Sequence, residues 1–413
     1  MESSRNSRRK TPLPFDTLEL GDCLDVVGQW PHSFADLVYV DPPFYTQKRH
    51  SLATRDRSRV YSFSDLWQDS TDYGEFLLQR MRVCWDALKE TGSIFFHCDR
   101  SGVHIARTVL DAVFGVNNFR SEIIWSYKRW SNSRRGLLPS HQNILYYTKS
   151  DTYKFNPHLT AYSPSTNVDQ ILQQRRRDTN GKSTYQLDSN GEPVSNGSKK
   201  GVPLGDVWDI PYLNPKAKER VGYPTQKPIL LLERIIEIAS NPGDCVLDPF
   251  CGSGTTLVAA HLNDRKYVGI DISEDAIALA SSRLSNPIRS SSALLTNGRE
   301  SYRNCNESVL KYLRGVAHTP VQRNRGIDAI LHAEVKGKPV LLRVQRANET
   351  IEECTSMLLK ATRRKNAGML VVLKTCDVPT LDFAYDDLSD DVVVINSVEH
   401  ALATALEKAN GQI

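Results

Sequence analysis

Two short motifs hold the residues best suited to chemistry. The first, Asp41-Pro42-Pro43-Phe44, ends the strand-like run from Asp36 to Val40. Consecutive prolines lack N–H groups and hold extended geometry. The chain leaving that run therefore offers carbonyl oxygens and a carboxylate but few donors. A planar amino group on an aromatic base needs such a setting, because its lone pair is conjugated into the ring. Acceptors for both of its hydrogens, the Asp41 carboxylate and the Pro42 carbonyl, push the nitrogen toward a tetrahedral, nucleophilic form. Phe44 can stack on a base face. Taken alone, the tetrapeptide reads equally well as a rigid exit from a buried strand. The second motif, Asp248-Pro249-Phe250-Cys251-Gly252-Ser253-Gly254-Thr255-Thr256, lies between a strand pattern and a helix pattern. Its close glycines let the backbone approach a ligand, and the helix start offers free N–H groups. It is not G-x-G-x-x-G and no Lys follows the second Gly, so neither a dinucleotide loop nor a P-loop fits. The next strand ends at Asp271, where an acid can accept hydrogen bonds from both hydroxyls of a ribose. A small nucleoside ligand without a pyrophosphate fits this spacing.

The elements that must position these residues alternate. Strand patterns at Leu18 to Leu20, Asp36 to Val40, Ser93 to Phe96, Glu122 to Trp125 and Asn143 to Thr148 are interleaved with helical patterns through Phe76 to Leu88 and Val103 to Val113. After residue 222 a helix from Pro228, a strand at Cys245 to Asp248, a helix from Thr255, a strand at Lys266 to Ile270 and a helix capped by Ser273 follow. This predicts an α/β fold with a doubly wound, mostly parallel sheet. Residues 45 to 72 read as a long polar loop, and 151 to 222, rich in Ser, Asn, Gly and Pro, break the rhythm. A domain over 1–290 with an insert at 151–222, a linker at 291–308 and a smaller α/β domain at 309–413 are expected. The 413 residues exceed one ordinary domain. A net charge of +4, from 52 Lys+Arg against 48 Asp+Glu, makes any nucleic-acid surface a local one. Eight scattered cysteines with no C-x-x-C pair exclude a zinc ribbon and suggest reduced thiols in the cytoplasm. No apolar run spans a membrane and no secretory signal is evident.

Three further motifs keep company with the first two: Gly21-Asp22-Cys23, His97-Cys98-Asp99 and Tyr223-Pro224-Thr225-Gln226-Lys227-Pro228. Together, over most of residues 15 to 285, they resemble the amino-methyltransferases of nucleic acids that use S-adenosylmethionine. The D-P-P-F motif precedes the cofactor loop, and this permuted order resembles the β class of DNA methyltransferases acting on adenine N6 or cytosine N4. The resemblance implies a Rossmann-like methyltransferase fold with circularly permuted motif order. It implies that Phe250, Gly252 and Gly254 line the methionine part of the cofactor and that Asp271 holds its ribose. Asp22 would lie near its adenine, Thr225, Gln226 and Lys227 would close its pocket, and Cys23, Asp248 and Thr255 would also belong to the cofactor site. Asp41, Pro42, Pro43 and Phe44 would face a flipped target base. Asp99 is a further candidate there, or simply a helix cap. No proline precedes a cysteine, so the thiolate nucleophile of carbon-5 methylation is missing. Direct attack by the amine, with no metal and no covalent intermediate, is the expected mechanism. Asp at position 41 favours adenine N6, because cytosine-N4 members of the family often carry Ser there. The reading from another class is a non-catalytic DNA-binding protein with a relict pocket.

A base within a duplex must be flipped out, at a cost of a few kcal/mol. Basic residues suited to the phosphates cluster in two stretches beside the proposed active edge. Lys48, Arg49, Arg55, Arg57 and Arg59 follow the D-P-P-F motif, and Lys128, Arg129, Arg134 and Arg135 follow Trp125, interleaved with Tyr45, Tyr61, Tyr127 and Trp130. Arg175, Arg176 and Arg177, with Asn180, Gln186 and Asn190, are side-chain types that read base edges. Double-stranded DNA is therefore the expected partner, in the cytoplasm and associated with the nucleoid. Towards the C-terminus, Asp328 and Arg343-x-Gln345 are faintly similar to a restriction-endonuclease-like core, but without its second acid and lysine. That argues against a metal-dependent nuclease. Residues 310–374 hold 13 Lys+Arg against 5 Asp+Glu, and 375–413 hold 1 against 8. An accessory domain contacting DNA or protein, or mediating a homodimer, is expected there.

Overall fold

The six residues Ala35–Val40 are buried at every position, the burial pattern of a central parallel strand covered on both faces. The computed structural model describes residues 15–53, 60–127, 136–160, 173–177, 181–194, 201–214, 217–290, 307–321, 324–363, 366–378 and 392–409. Arg55, Arg57, Arg59, Lys128, Arg129, Trp130, Arg134, Arg135, Asn180 and residues 291–306 of the expected linker lie outside them. The chain divides into two compact units, Met1–Leu295 and Thr296–Ile413.

In the first unit the main strands are β1 (Thr17–Leu20), β2 (Ala35–Val40), β3 (Arg49–Ala53), β4 (Val60–Ser64), β5 (Leu88–Cys98), β6 (Phe119–Ser126) and β7 (His141–Thr148). Short strands follow as β8 (Leu159–Thr160), β9 (Arg175–Arg177), β10 (Ser183–Tyr185), β11 (Val202–Pro203) and β12 (Val207–Asp209). β13 (Cys245–Asp248) and β14 (Lys266–Asp271) complete the set. The helices are α1 (Cys23–Gly28), α2 (Ser70–Ala87), α3 (Val103–Phe114), α4 (Ile229–Ala239), α5 (Thr255–Leu262) and α6 (Glu274–Ser285). Eight strands form one sheet in the order β1-β14-β13-β2-β5-β7-β6-β12. Every pairing in it is parallel except the two made by β7. Val38 and Val40 of β2 face one core with Tyr73, Leu77 and Met81 of α2 and Leu110 of α3. Leu37 and Tyr39 face the other, with Ile229, Leu232, Ile235 and Ile236 of α4 and with Leu257 and Val258 of α5. Each fully buried side chain of this kind contributes about 1.5–3 kcal/mol. The result is a doubly wound sheet between two helix layers.

Two expectations change. Residues 45 to 72 are not a structureless loop, because β3 and β4 pair as an antiparallel hairpin and Asp65 ties it back to Phe44, Thr46 and His50. Its strands show no clean alternation because the hairpin is held mainly by polar contacts and by Tyr61 resting on Tyr223. The 151–222 segment likewise is not irregular throughout. Val207–Asp209 adds β12 to the main sheet, and Trp208 is buried there. Lys154, at its start, pairs with Asp36 at 2.8 Å and Asp244 at 2.7 Å. A three-residue strand is too short to show a period.

In the second unit β15 (His318–Pro320), β16 (Ala329–Val335), β17 (Lys338–Val344), β18 (Met369–Lys374) and β19 (Val392–Asn396) form a five-stranded sheet in chain order. The first two pairings are antiparallel and the last two parallel. After the short α7 (Glu307–Leu310), α8 (Ile351–Thr362) starts from a Thr350/Glu353 capping box, and α9 (Val398–Ala409) comes last. The carboxylate of Asp328 accepts from Val344 N at 2.7 Å and from two Arg346 nitrogens at 2.6 Å each. Among the described residues no group of three or more His, Cys, Asp or Glu could hold a metal ion. None of the described helices is long and apolar enough to cross a membrane.

Candidate active site

The parallel strands deliver five acids to one edge of the sheet: Asp22 after β1, Asp271 on β14, Asp248 on β13, Asp41 after β2 and Asp99 after β5. The chain leaves β13 toward β14 on one side and β2 toward β5 on the other, while β13 and β2 are themselves neighbours. In an open α/β sheet that switch point is where the crevice for a ligand opens. Here it is a cleft of about 1030 Å³, lined by Asp22, Cys23, Asp41, Pro42, Pro43, Phe44, Asp99, Asp248, Phe250, Gly252, Thr255 and Asp271 among others.

Asp41 lies deep in this cleft. Its Oδ2 is held by the buried ammonium of Lys227, which stands 5.5 Å from the centroid of the Phe44 ring. Its Oδ1 is buried with no hydrogen-bond partner among the described residues. Burial pushes the Asp41 carboxyl up, and the Lys227 charge pulls part of that rise back. The family resemblance puts Lys227 at the cofactor pocket, yet its side chain reaches across to the D-P-P-F carboxylate. Phe44 is fixed from both ends, its N–H donating to Asp65 Oδ1 at 3.0 Å and its carbonyl accepting from Trp67 Nε1 at 2.9 Å. Beneath it lies His97, with ring centroids 6.0 Å apart. Burial, then the Lys227 charge, drives the His97 imidazole well below its ordinary value, so it is neutral.

On the other side of the cleft the glycine loop turns at Gly252, with φ of 49°, and passes so close to Tyr223 that a Cβ there would lie 3.2 Å from the ring. Gly252 N–H donates to Asp271 Oδ2 at 2.8 Å and Ser273 N–H to Asp271 Oδ1 at 2.9 Å. Each carboxylate oxygen keeps further acceptor capacity. Burial raises the Asp271 carboxyl and pushes Asp248 up to about 7. Asp22 caps α1 through Leu24 N–H at 2.9 Å and pairs with Arg80 at 2.5 Å. Arg80 in turn lies over Phe76, 3.7 Å from its centroid. Thr225 has φ of 61°, uncommon for a β-branched residue. The Gln226 amide is engaged by Val221 N–H at 3.0 Å and the Glu219 carbonyl at 2.7 Å. Gly254 does not line the cleft. With φ of 72° it allows α6 to approach, and a Cβ there would lie 2.7 Å from that of Ala280. Asp99 accepts from Ser101 N–H at 3.0 Å and Gly102 N–H at 3.3 Å, capping the turn into α3 at the rim of the cleft.

Of the expected DNA contacts, Lys48 is exposed and lines the cleft, while Arg49 is exposed beside it on β3. Arg175, Arg176 and Arg177 form the exposed strand β9, paired with β10 and outside the cleft lining. Four supports are invisible in the sequence motifs. Asp65 and His50 lie in a stretch with no period, Arg80 resembles any polar position of an amphipathic helix, and Arg283 is one basic residue in α6. Buried Arg283 donates to the Ser253 carbonyl at 2.5 Å and to Thr255 Oγ1 at 2.9 Å, clamping the glycine loop from behind. Nothing local in the sequence marks any of them.

Comparison with known proteins follows the same lines. The family model described as DNA methylase, for N6 and N4 methyltransferases, matches residues 35–282. The chain is 30% identical over 250 residues to the type II methyltransferase M.HpaI of Haemophilus parainfluenzae, covering 60% of this chain and 68% of that protein. It is 28% identical over 270 residues to the DNA adenine methyltransferase YhdJ of Escherichia coli strain K12, covering 65% and 82%. Among solved structures, the cytosine-N4-specific PvuII DNA methyltransferase aligns with a TM-score of 0.44 at 18% identity, over 68% of this chain and 90% of that one. With a family match spanning more than half its length, this chain belongs to the N6/N4 DNA methylase family.

Proposed function

We propose that this chain is a site-specific DNA methyltransferase that moves a methyl group from S-adenosylmethionine to the exocyclic N6 amine of a flipped adenine in double-stranded DNA. The observation that carries the reading is the divided Asp41 carboxylate, with one oxygen fixed by Lys227 and the other buried and unpartnered at the cleft. A buried acceptor without a donor is costly, and an amine hydrogen entering the cleft would satisfy it.

The residues fit the cofactor by the chemistry of their donor set. Asp22, Asp248 and Asp271 give the cleft an acidic wall suited to a ligand carrying a ribose diol and positive charge, and the Gly252 turn lets backbone lie close to it. When bound, S-adenosylmethionine supplies a methyl group on a positively charged sulfur, open to attack by an amine. Asp271 would hold the ribose, with Asp22 and Cys23 toward the adenine and Phe250, Gly252 and Thr255 beside the methionine part. Asp41 Oδ1 and the Pro42 carbonyl would accept the two amine hydrogens and free the nitrogen lone pair, while Phe44 stacks on the base. Asp41 Oδ1 would also take the proton that the nitrogen sheds. Catalysis then rests on alignment and on fixed dipoles in a dry site. Asp rather than Ser at position 41 supports adenine, and so does the likeness to an adenine methyltransferase. Lys48, Arg49 and Arg175 to Arg177 would contact the duplex. The unit from Thr296 would act as an accessory contact domain for DNA, a protein partner or a second copy, in the cytoplasm at the nucleoid.

The test is transfer of labelled methyl groups to unmethylated duplex DNA, followed by nucleoside mass spectrometry and sequencing of the modified site. Wild type is expected to yield N6-methyladenine. Asp41→Ala should lose on the order of a hundredfold in rate, the scale of one lost transition-state acceptor, while still binding cofactor. Equal modification by both proteins removes Asp41 from the mechanism, and N4-methylcytosine as product replaces adenine by cytosine.

A further inference from the structure

Deep under the D-P-P-F loop, three side chains form a relay that ends in the cleft. Tyr39 of β2 and His97 of β5 are both buried, and the Tyr39 hydroxyl lies 2.7 Å from His97 Nδ1. His97 Nε2 lies 2.9 Å from Oε1 of Gln142, the second residue of β7. The directions of these bonds follow from counting protons. The Tyr39 hydroxyl has no acceptor among the described residues other than His97, so it donates to Nδ1. A neutral imidazole carries one proton, which must then sit on Nε2 and be donated to Gln142 Oε1. The carbonyl of the Gln142 amide is thereby engaged, and its NH₂ group is left pointing away from the relay. That NH₂ has no partner among the described residues, and Gln142 lines the cleft with Asp41 and Phe44.

Gln142 also lies on the correct side of the sheet. Tyr39 of β2 is opposite Phe95 of β5, and His97 two residues on is opposite Ile144 of β7. Counting by twos, Asp41, His97 and Gln142 therefore belong to one face. β5 alone separates β2 from β7, which puts the two backbones roughly 10 Å apart. Gln142 lies two residues beyond Ile144 toward the edge where β5 ends, and Gln142 and Asp41 line the same cleft.

The geometry assigns to Gln142 the reading of the target base: its amide NH₂ donates to the ring nitrogen beside the amine that Asp41 holds. Acceptor and donor together recognise an amidine edge, an N–H next to a bare ring nitrogen, as adenine presents with N6 and N1 and cytosine with N4 and N3. A donor on the ring nitrogen does not make the amine more nucleophilic, so Gln142 positions the base and selects it, while Asp41 activates it. The Tyr39–His97 pair is what keeps the amide from flipping. This inference rests on the methyltransferase reading above.

The test is a double-mutant cycle on a duplex carrying the site mapped by sequencing, with 1-deazaadenine in place of the target adenine, or 3-deazacytosine if the product is N4-methylcytosine. Gln142→Glu keeps an oxygen for the His97 proton and replaces the donor by a second carboxylate oxygen, adding a negative charge that a doubly protonated His97 can balance. On normal DNA it should lower kcat/KM at least about tenfold, the worth of one hydrogen bond, with cofactor affinity kept. The deaza base should cost wild type about the same. The two changes combined should cost no more than either alone. Losses that multiply, or a Gln142→Glu enzyme as active as wild type on normal DNA, overturn the assignment. A wild type that methylates no DNA at all instead defeats the underlying reading.

Discussion

The Asp41–Lys227 pair sets the conditions under which the chemistry works. Burial alone favours the protonated form of Asp41, and a protonated carboxyl cannot offer both oxygens as acceptors. Lys227 offsets part of that rise. A Lys227→Met variant removes the offset, so the Asp41 carboxyl rises further and the acid limb of the rate profile moves to higher pH. We expect kcat near neutrality to fall relative to wild type and to recover toward it as the pH is raised. A profile that falls in parallel with wild type at every pH would show that Lys227 acts on something other than the ionisation of Asp41. The motif Thr225-Gln226-Lys227 by itself suggests a cofactor contact. The ammonium's position on Asp41 links that motif to the other half of the reaction.

At the scale of elements, the site is an edge. Parallel strands that all end on one side gather Asp22, Asp271, Asp248, Asp41 and Asp99 from positions up to 249 residues apart along the chain. Helix packing then fixes the loops between them. Gly254 shows how tightly this is done, since its left-handed backbone lets α6 come against the loop. Gly254→Ala places a methyl group 2.7 Å from Ala280 in a conformation that disfavours any side chain. A cost of about 1–3 kcal/mol is expected, read as a drop of several degrees in thermal unfolding. The Michaelis constant for S-adenosylmethionine should rise with it as the glycine loop shifts. An unchanged melting temperature would mean that α6 yields freely.

Across the whole molecule, the near-neutral charge is the sum of oppositely charged stretches of sequence. Exposed Arg175, Arg176 and Arg177 stand on a small hairpin away from the cleft lining. If they neutralise phosphates, replacing all three with Ala should reduce the slope of log affinity against log salt by about 0.9 for each phosphate left unneutralised. Affinity measured by fluorescence anisotropy from low to moderate salt checks this. A slope equal to that of wild type would assign the hairpin another role.

The candidate reactive groups, the alternation of strands and helices, and the motif order were all legible in the amino-acid sequence, because each is carried by near neighbours. A strand's apolar run, two prolines that remove donors and a glycine loop before a helix are local facts. What those residues face is a matter of long-range packing. Packing turned part of the apparent loop at 45 to 72 into a hairpin held by Asp65, and drew β12 out of the apparent insert. It brought Lys227 onto Asp41 across 186 positions and turned the Gln142 amide through His97 and Tyr39. Such pairings depend on strand order and register, and no short stretch of sequence encodes them. The residue types announce a reaction, and the sheet edge determines which of them meet.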